Sequence, residues 1–282
     1  MIGIVTDSTC DIPENLLEQY GIIVVPQFVT WADKQYRDRV DLQPGEFYQR
    51  LKTESELPHT SMPGVADFKN AFDQAIEQGA NELIVLTVSS AMSGTYEVAR
   101  TAAAQLTIPV TVVDSKGPTM TLGWQTLAAA RARDAGNNLA EIIKQIGQVR
   151  SKLVQYVGMV TMEFLQYGGR IGEAARWAGT LLKVKPLVAI NHQSGVVQPV
   201  SLLRTTNSMI EMLYRKFFDH FKNRENLRIA VLHGNDEQTA ESLAERIRDE
   251  FHPIELLINT TGPVLGINTG PGALALCGYA ED

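Results

Sequence analysis

The sequence predicts an α/β protein of two domains, an N-terminal Rossmann-like, mostly parallel sheet with helices on both faces and a C-terminal α/β domain with a mixed or antiparallel sheet. Short β-branched apolar runs alternate with longer amphipathic stretches, as βα units do. Pro13, Pro44 and Pro63 stand where helices begin, since proline's fixed φ and missing N–H suit a first turn. The chain has 282 residues, and a domain takes roughly 150. The pattern changes near residue 155, which divides the chain into 1–155 and 156–282.

Taken in order, Ile2 to Thr6, Ile22 to Val25, Leu83 to Val88 and Val110 to Val113 are strands, too short and too continuously apolar for surface helices. Helices are expected near 13 to 20, 44 to 53, 63 to 78, 94 to 106 and 119 to 136. Another, from Leu139 to about Arg150, leads into a strand over Leu153 to Met159. Val184 to Ile190 and Val196 to Leu203 flank the polar, glycine-containing loop Asn191 to Gly195 and read as a hairpin. A helix from about Thr206 to Phe221 follows. Strands at Arg228 to Leu232 and Ile254 to Leu257 are separated by the charged helix Glu237 to Phe251, and strands at Val264 to Gly266 and Ala273 to Cys277 close the chain.

Apolar residues make up 44% and charged residues 20% of the chain, which excludes disordered, collagen-like and coiled-coil classes. The net charge is −7 and the pI near 5.3, opposite in sign to a nucleic-acid-binding surface. Cys10 and Cys277 belong to no metal-binding spacing and read as reduced buried thiols. No metal site and no cofactor are expected. The N-terminus lacks a basic segment before an apolar one, and the uncharged stretch from Leu256 to Ala280 is broken by Pro263, Pro271 and several glycines. A cytoplasmic protein with no transmembrane segment is expected.

The residues that suggest chemistry are hydroxyls at strand ends. Ser89, Ser90, Ser93 and Thr95 crowd the exit of the strand ending at Val88, with Gly94 among them, and a helix follows. In an open α/β sheet ligands sit at the carboxyl ends of strands, where helix N-termini offer free N–H groups. Asp7-Ser8-Thr9 and His59-Thr60-Ser61-Met62-Pro63-Gly64 add hydroxyls at similar places. Each stretch equally fits an ordinary capped helix start. None carries Lys or Arg at the loop, and no P-loop pattern occurs, so a singly charged carboxylate suits the cluster better than a polyphosphate. Gly262 to Gly272 holds four glycines and two prolines, with Asn268 as its polar tip, and reads either as close-approach backbone or as an irregular connection. The five histidines are scattered and read as surface or core residues.

With Asp7-Ser8, Thr60-Ser61, Ser90 to Thr95, Gly168-Gly169-Arg170 and Gly266 to Gly272 in this order, the chain resembles the DegV family over nearly its whole length. That family includes the fatty-acid-binding subunits of bacterial fatty acid kinase. The resemblance implies a two-domain α/β protein holding one long-chain fatty acid between its domains, as a carrier or as a subunit that presents the carboxylate to a kinase. By position it assigns Thr60 and Ser93 to the head group, with Ser61 and Gly94 beside them. Asn268 stands where the family usually has the histidine of H-T-G-P-G, and asparagine can donate a hydrogen bond but carries no positive charge and transfers no proton. Arg204 resembles a basic position on the kinase-facing surface and also fits a solvated strand end. Phe164, Leu165, Ile171, Trp177 and Leu181 are candidate tail contacts, although the same spacing fits ordinary core.

On this reading the protein performs no catalysis. The alternative is a phosphate- or acyl-transfer enzyme that uses the hydroxyl cluster as an anion site, with Asp7 or His59 as base. It requires an acceptor for the Ser93 proton within hydrogen-bond reach. A third class, a purely structural module, requires that side chains fill the space between the domains.

Overall fold

The computed structural model describes residues 1–177 and 184–282. The first half runs β1 (Ile2–Asp7), α1 (Glu14–Gln19), β2 (Ile23–Val25), β3 (Phe28–Trp31), β4 (Lys34–Arg37), α2 (Pro44–Thr53), β5 (His59–Ser61), α3 (Val65–Glu77), β6 (Glu82–Thr87), α4 (Thr95–Ala103) and β7 (Val110–Asp114). Then come α5 (Met120–Asp134), α6 (Leu139–Lys152), β8 (Val154–Gly158), α7 (Glu163–Tyr167), β9 (Lys185–Asn191) and β10 (Val196–Leu203). The chain closes with α8 (Thr206–Phe218), β11 (Leu227–His233), α9 (Glu237–Phe251), β12 (Glu255–Thr260), α10 (Pro263–Thr269) and β13 (Leu274–Ala280).

The first sheet has the order β2-β1-β6-β7, and every pairing is parallel. Because successive strand residues face opposite sides, Ile4, Ile84 and Leu86 join one apolar cluster while Val5, Leu83 and Val85 join another with Phe68 and Phe72 of α3 and Ala99 of α4. Both faces are covered, as a parallel sheet requires. The strand order reverses between β1, which leads out to β2, and β6, which leads out to β7. A crevice forms at such a switch point, outside the carboxyl ends of the strands.

The second sheet runs β10-β9-β8-β13-β11-β12 and is mixed: β11 and β12 are parallel and the other neighbours antiparallel. Leu213 and Phe217 of α8 and Leu243 and Ile247 of α9 seal one face. The other face meets α5, which also packs on β1 and β6. Eleven residues of α5 are buried, as a helix enclosed on all sides requires. Its Trp124 donates from Nε1 to the Cys277 carbonyl of β13 at 3.1 Å. One apolar cluster therefore includes residues of both sheets, among them Ile84, Trp124, Val188 and Ala275.

Three features depart from expectation. Val264 to Gly266 lies in a helix, α10, rather than a strand. Gly262 and Pro263 start it, and Gly270, at φ 74°, stops it. Seven uncharged residues between glycine and proline have no period to reveal their helicity. A third, three-stranded sheet, β4-β3-β5, forms beside the first, and Thr60 is paired with Val29 there. The helix expected over 206 to 221 ends at Phe218. Cys10 and Cys277 are free and buried, and burial pushes both thiols up to about 12. Among the described residues no helix is long and apolar enough to cross a membrane, and no group of His, Cys, Asp and Glu is arranged to hold a metal ion.

Candidate functional site

A cavity of about 370 Å³ opens at the switch point, between the strand ends of the first sheet and the inner face of the second. The first half contributes Thr9 after β1, Val88, Met92, Ser93 and Gly94 after β6, and Thr60 and Ser61 from β5. From the opposite side come Val157, Val188, Ile190, Val197, Leu232 and Ala275, all strand residues. Asn268 of α10, Leu165 of α7 and Arg170 complete the named lining. The first half thus brings the Ser93, Thr60 and Ser61 hydroxyls and the strands of the second sheet bring apolar side chains, while Thr119, Gln155, Thr261 and Thr269 add further polar groups to the lining.

The hydroxyl side is held by buried partners. The Oγ of Ser93 lies 2.8 Å from Oγ1 of Thr95, and Gln27, itself a lining residue, donates from Nε2 to that Thr95 oxygen at 3.0 Å. Thr95 N–H also donates to Ser93 Oγ, at 3.3 Å. Among the described residues no carboxylate or imidazole hydrogen-bonds to Ser93. Asp7 spends both oxygens elsewhere, accepting from Thr9 N and Oγ1 at 3.0 and 2.6 Å and from Val88 N at 2.7 Å. It therefore ties the ends of β1 and β6 together at the cavity edge. His59 stacks on Tyr167, whose hydroxyl lies 3.0 Å from its Nε2. Gly94 admits Met62, whose sulfur would lie 2.6 Å from a β-carbon at that position.

Two further buried carboxylates, outside the lining, accept from the backbone at the start of α10. Asp11 Oδ1 accepts from Arg39 Nη2 at 2.5 Å and from Gly262 N at 3.0 Å, and the same Arg39 nitrogen reaches the Thr260 carbonyl at 2.7 Å. Asp38 accepts from Ser8 Oγ at 2.6 Å. Burial raises the carboxyls of Asp7 and Asp11 above their ordinary range despite these donors. It pushes Asp38 up to about 7, against the opposing pull of Arg39.

The folded state therefore holds the Asp38 proton more tightly than the unfolded chain. The stability it contributes is complete below about pH 4 and is lost as pH rises through about 7. Asp38→Asn keeps an acceptor for Ser8 and is expected to flatten this fall, worth up to about 4 kcal/mol. Urea unfolding from pH 4 to 8 measures it, and an unchanged slope in the variant would refute the assignment.

The residues expected at the head group, Thr60, Ser61, Ser93, Gly94 and Asn268, all line this one cavity. Asn268 commits Nδ2 to the Val264 carbonyl at 2.9 Å, while its Oδ1 is buried without a donor. Of the expected tail contacts, Leu165 is in the lining. Phe164 is not, and its ring lies against the Gly270 backbone, where a β-carbon would sit 2.2 Å away. Ile171 and Trp177 also stand apart from the lining and pack on the main core cluster. Leu181 lies outside the described residues. Arg204 is exposed just beyond β10.

The match to known proteins covers the same span as the fold. The family model of DegV proteins, a family of uncharacterised proteins, matches residues 1–281. The chain belongs to the DegV family. A DegV domain-containing protein of Halalkalibacterium halodurans is 31% identical over 281 residues, covering 99% of both chains. A fatty-acid-binding DegV family protein from Thermus thermophilus superposes with a TM-score of 0.92 at 30% identity, covering 99% of both chains. DegV of Bacillus subtilis, also a fatty-acid-binding protein, gives 0.90 at 28% identity, again over 99% of both chains. The DegV framework supplies the strand-end loops and the apolar inner sheet that meet at the cavity. Within it, Gln27 joins the site although nothing in the sequence singled it out, beside Thr9 and Arg170 in the lining and Thr95 behind Ser93. Arg170 holds the rim, donating to the Gly168 carbonyl at 2.8 Å and the Met92 carbonyl at 3.3 Å.

Proposed function

We propose that this DegV protein binds one long-chain fatty acid in the cavity between 1–155 and 156–282, and that it carries the acid without chemistry of its own. The observation that supports this most is a single cavity that joins the strand-end hydroxyls of the first half to a bed of aliphatic strand residues from the second sheet. Thr60, Ser61, Ser93 and the Gly94 N–H supply neutral donors for a carboxylate, Asn268 has one amide N–H left, and the strands of the second sheet supply an apolar bed for the chain. A serine acting as nucleophile needs an adjacent base, and Ser93 has threonine and glutamine behind it instead. The fatty-acid-binding neighbours of the same fold support the same ligand class. Presentation of the bound carboxyl to a kinase, with Arg204 on the docking surface, is the narrower form of this proposal. Reduced, buried Cys10 and Cys277 suit a cytoplasmic carrier.

Protein purified without detergent is expected to release a fatty acid in about equimolar amount, read by native mass spectrometry and by organic extraction. Repeated preparations that release none and fail to take up added hexadecanoate would overturn the reading.

A further inference from the structure

The cavity also carries polar groups that the head-group hydroxyls do not include. Thr119 and Gln155 both line it, and they are 6% and 1% exposed. Thr121 Oγ1 donates to Gln155 Oε1, and Gln155 Nε2 donates to Thr119 Oγ1 at 2.8 Å. This chain has a direction. Thr119 Oγ1 accepts from Gln155, which leaves its own O–H free to donate, and Gln155 Nε2 has a second N–H to place. Among the described residues neither of these protons has an acceptor. Thr119 also directly precedes α5, where a threonine hydroxyl ordinarily accepts from the helix's own first turn, yet it makes no such bond. Its backbone sits at φ 54°, a conformation costly for a β-branched residue and natural for glycine. A threonine kept in a strained position, with a hydroxyl that does not cap its own helix, is accounted for by what that hydroxyl offers the cavity.

We infer that Thr119 and Gln155 form a second subsite, offering two free donors, that recognises an oxygen acceptor on the acyl chain, so that the protein prefers an oxo-substituted or hydroxylated fatty acid over the plain one. This rests on the fatty-acid reading above. Buried donors left without an acceptor are costly, and an oxygen placed between them removes that cost. A keto oxygen, with two lone pairs, can accept from both donors at once.

The test walks a single keto group along hexadecanoic acid and reads the affinity of each isomer relative to the plain acid, by calorimetry with delipidated protein. At one or two adjacent positions the oxo acid is expected to bind about tenfold tighter than hexadecanoate. That ratio is expected to collapse in Thr119→Val and to survive in Thr119→Ser. Thr119→Gly, which relieves the backbone as it removes the hydroxyl, guards against a variant that misfolds, and the preference is expected to vanish there too. If no isomer outbinds hexadecanoate in the unaltered protein, or if the preference persists in both Val and Gly variants, the subsite is overturned. Failure to bind hexadecanoate itself would instead overturn the fatty-acid reading.

Discussion

Arg39→Met is expected to destabilise the protein by about 3–5 kcal/mol, because it strands a buried carboxylate whose cation has been removed. Asp11 has no side-chain exposure, whereas Arg39 keeps 24% of its own. The loss therefore falls chiefly on Asp11, which must take up a proton or remain charged in apolar surroundings. The pair also ties the two halves of the chain together: Arg39 and Asp11 come from the first half, while their partners Thr260 and Gly262 stand at the end of β12 and the start of α10. Removing Arg39 raises the Asp11 carboxyl further, so the deficit relative to the unaltered protein shrinks as pH falls and Asp11 is neutralised. The check is a denaturant midpoint at pH 5 and pH 8. Asp11→Asn combined with Arg39→Met should cost less than Arg39→Met alone, since Asp11 then leaves no orphan charge and Asp38 alone loses its cation. Equal costs for the single and double variants would show that the guanidinium acts through packing.

The parts of this architecture that sequence makes legible are those with local signatures. β1, β6 and β7 are apolar runs, and α3, α4 and α6 carry clean amphipathic periods closed by polar residues. Ser93 and Thr60 stand out because strand ends and helix starts are where hydroxyls become useful. Their supports do not. Gln27 lies 68 residues from Thr95, and Gln155 lies 34 from Thr121. A hydrogen bond between distant segments leaves no trace in the spacing of either. Phe164, Ile171 and Trp177 show the converse problem, since a cluster of large apolar residues has the same pattern whether it faces a ligand or its own core. The apolar lining comes instead from β8, β9, β10, β11 and β13, through Val157, Val188, Val197, Leu232 and Ala275. The burial of α5 on every side also follows from the two sheets closing on it, and its small residues acquire meaning only there.

Chain length is expected to dominate affinity. Each methylene moved from water to the aliphatic side of the cavity contributes about 0.8 kcal/mol, or about fourfold in the dissociation constant. From decanoate to hexadecanoate, six added methylenes should tighten binding by about three and a half orders of magnitude, with a plateau once the cavity of about 370 Å³ is filled. The hydroxyls act at the other end of the ligand, so their effect should be separable. Thr60→Ala with Ser93→Ala is expected to weaken every member of the series by about 10- to 100-fold, leaving the dependence on chain length parallel to that of the unaltered protein. Parallel lines follow because head and tail touch different walls, and contributions from well-separated contacts add. A flat dependence on length would mean that the alkyl chain lies outside the cavity, whatever holds the carboxylate. Converging lines would mean that the hydroxyls shape the apolar wall rather than grip the head group.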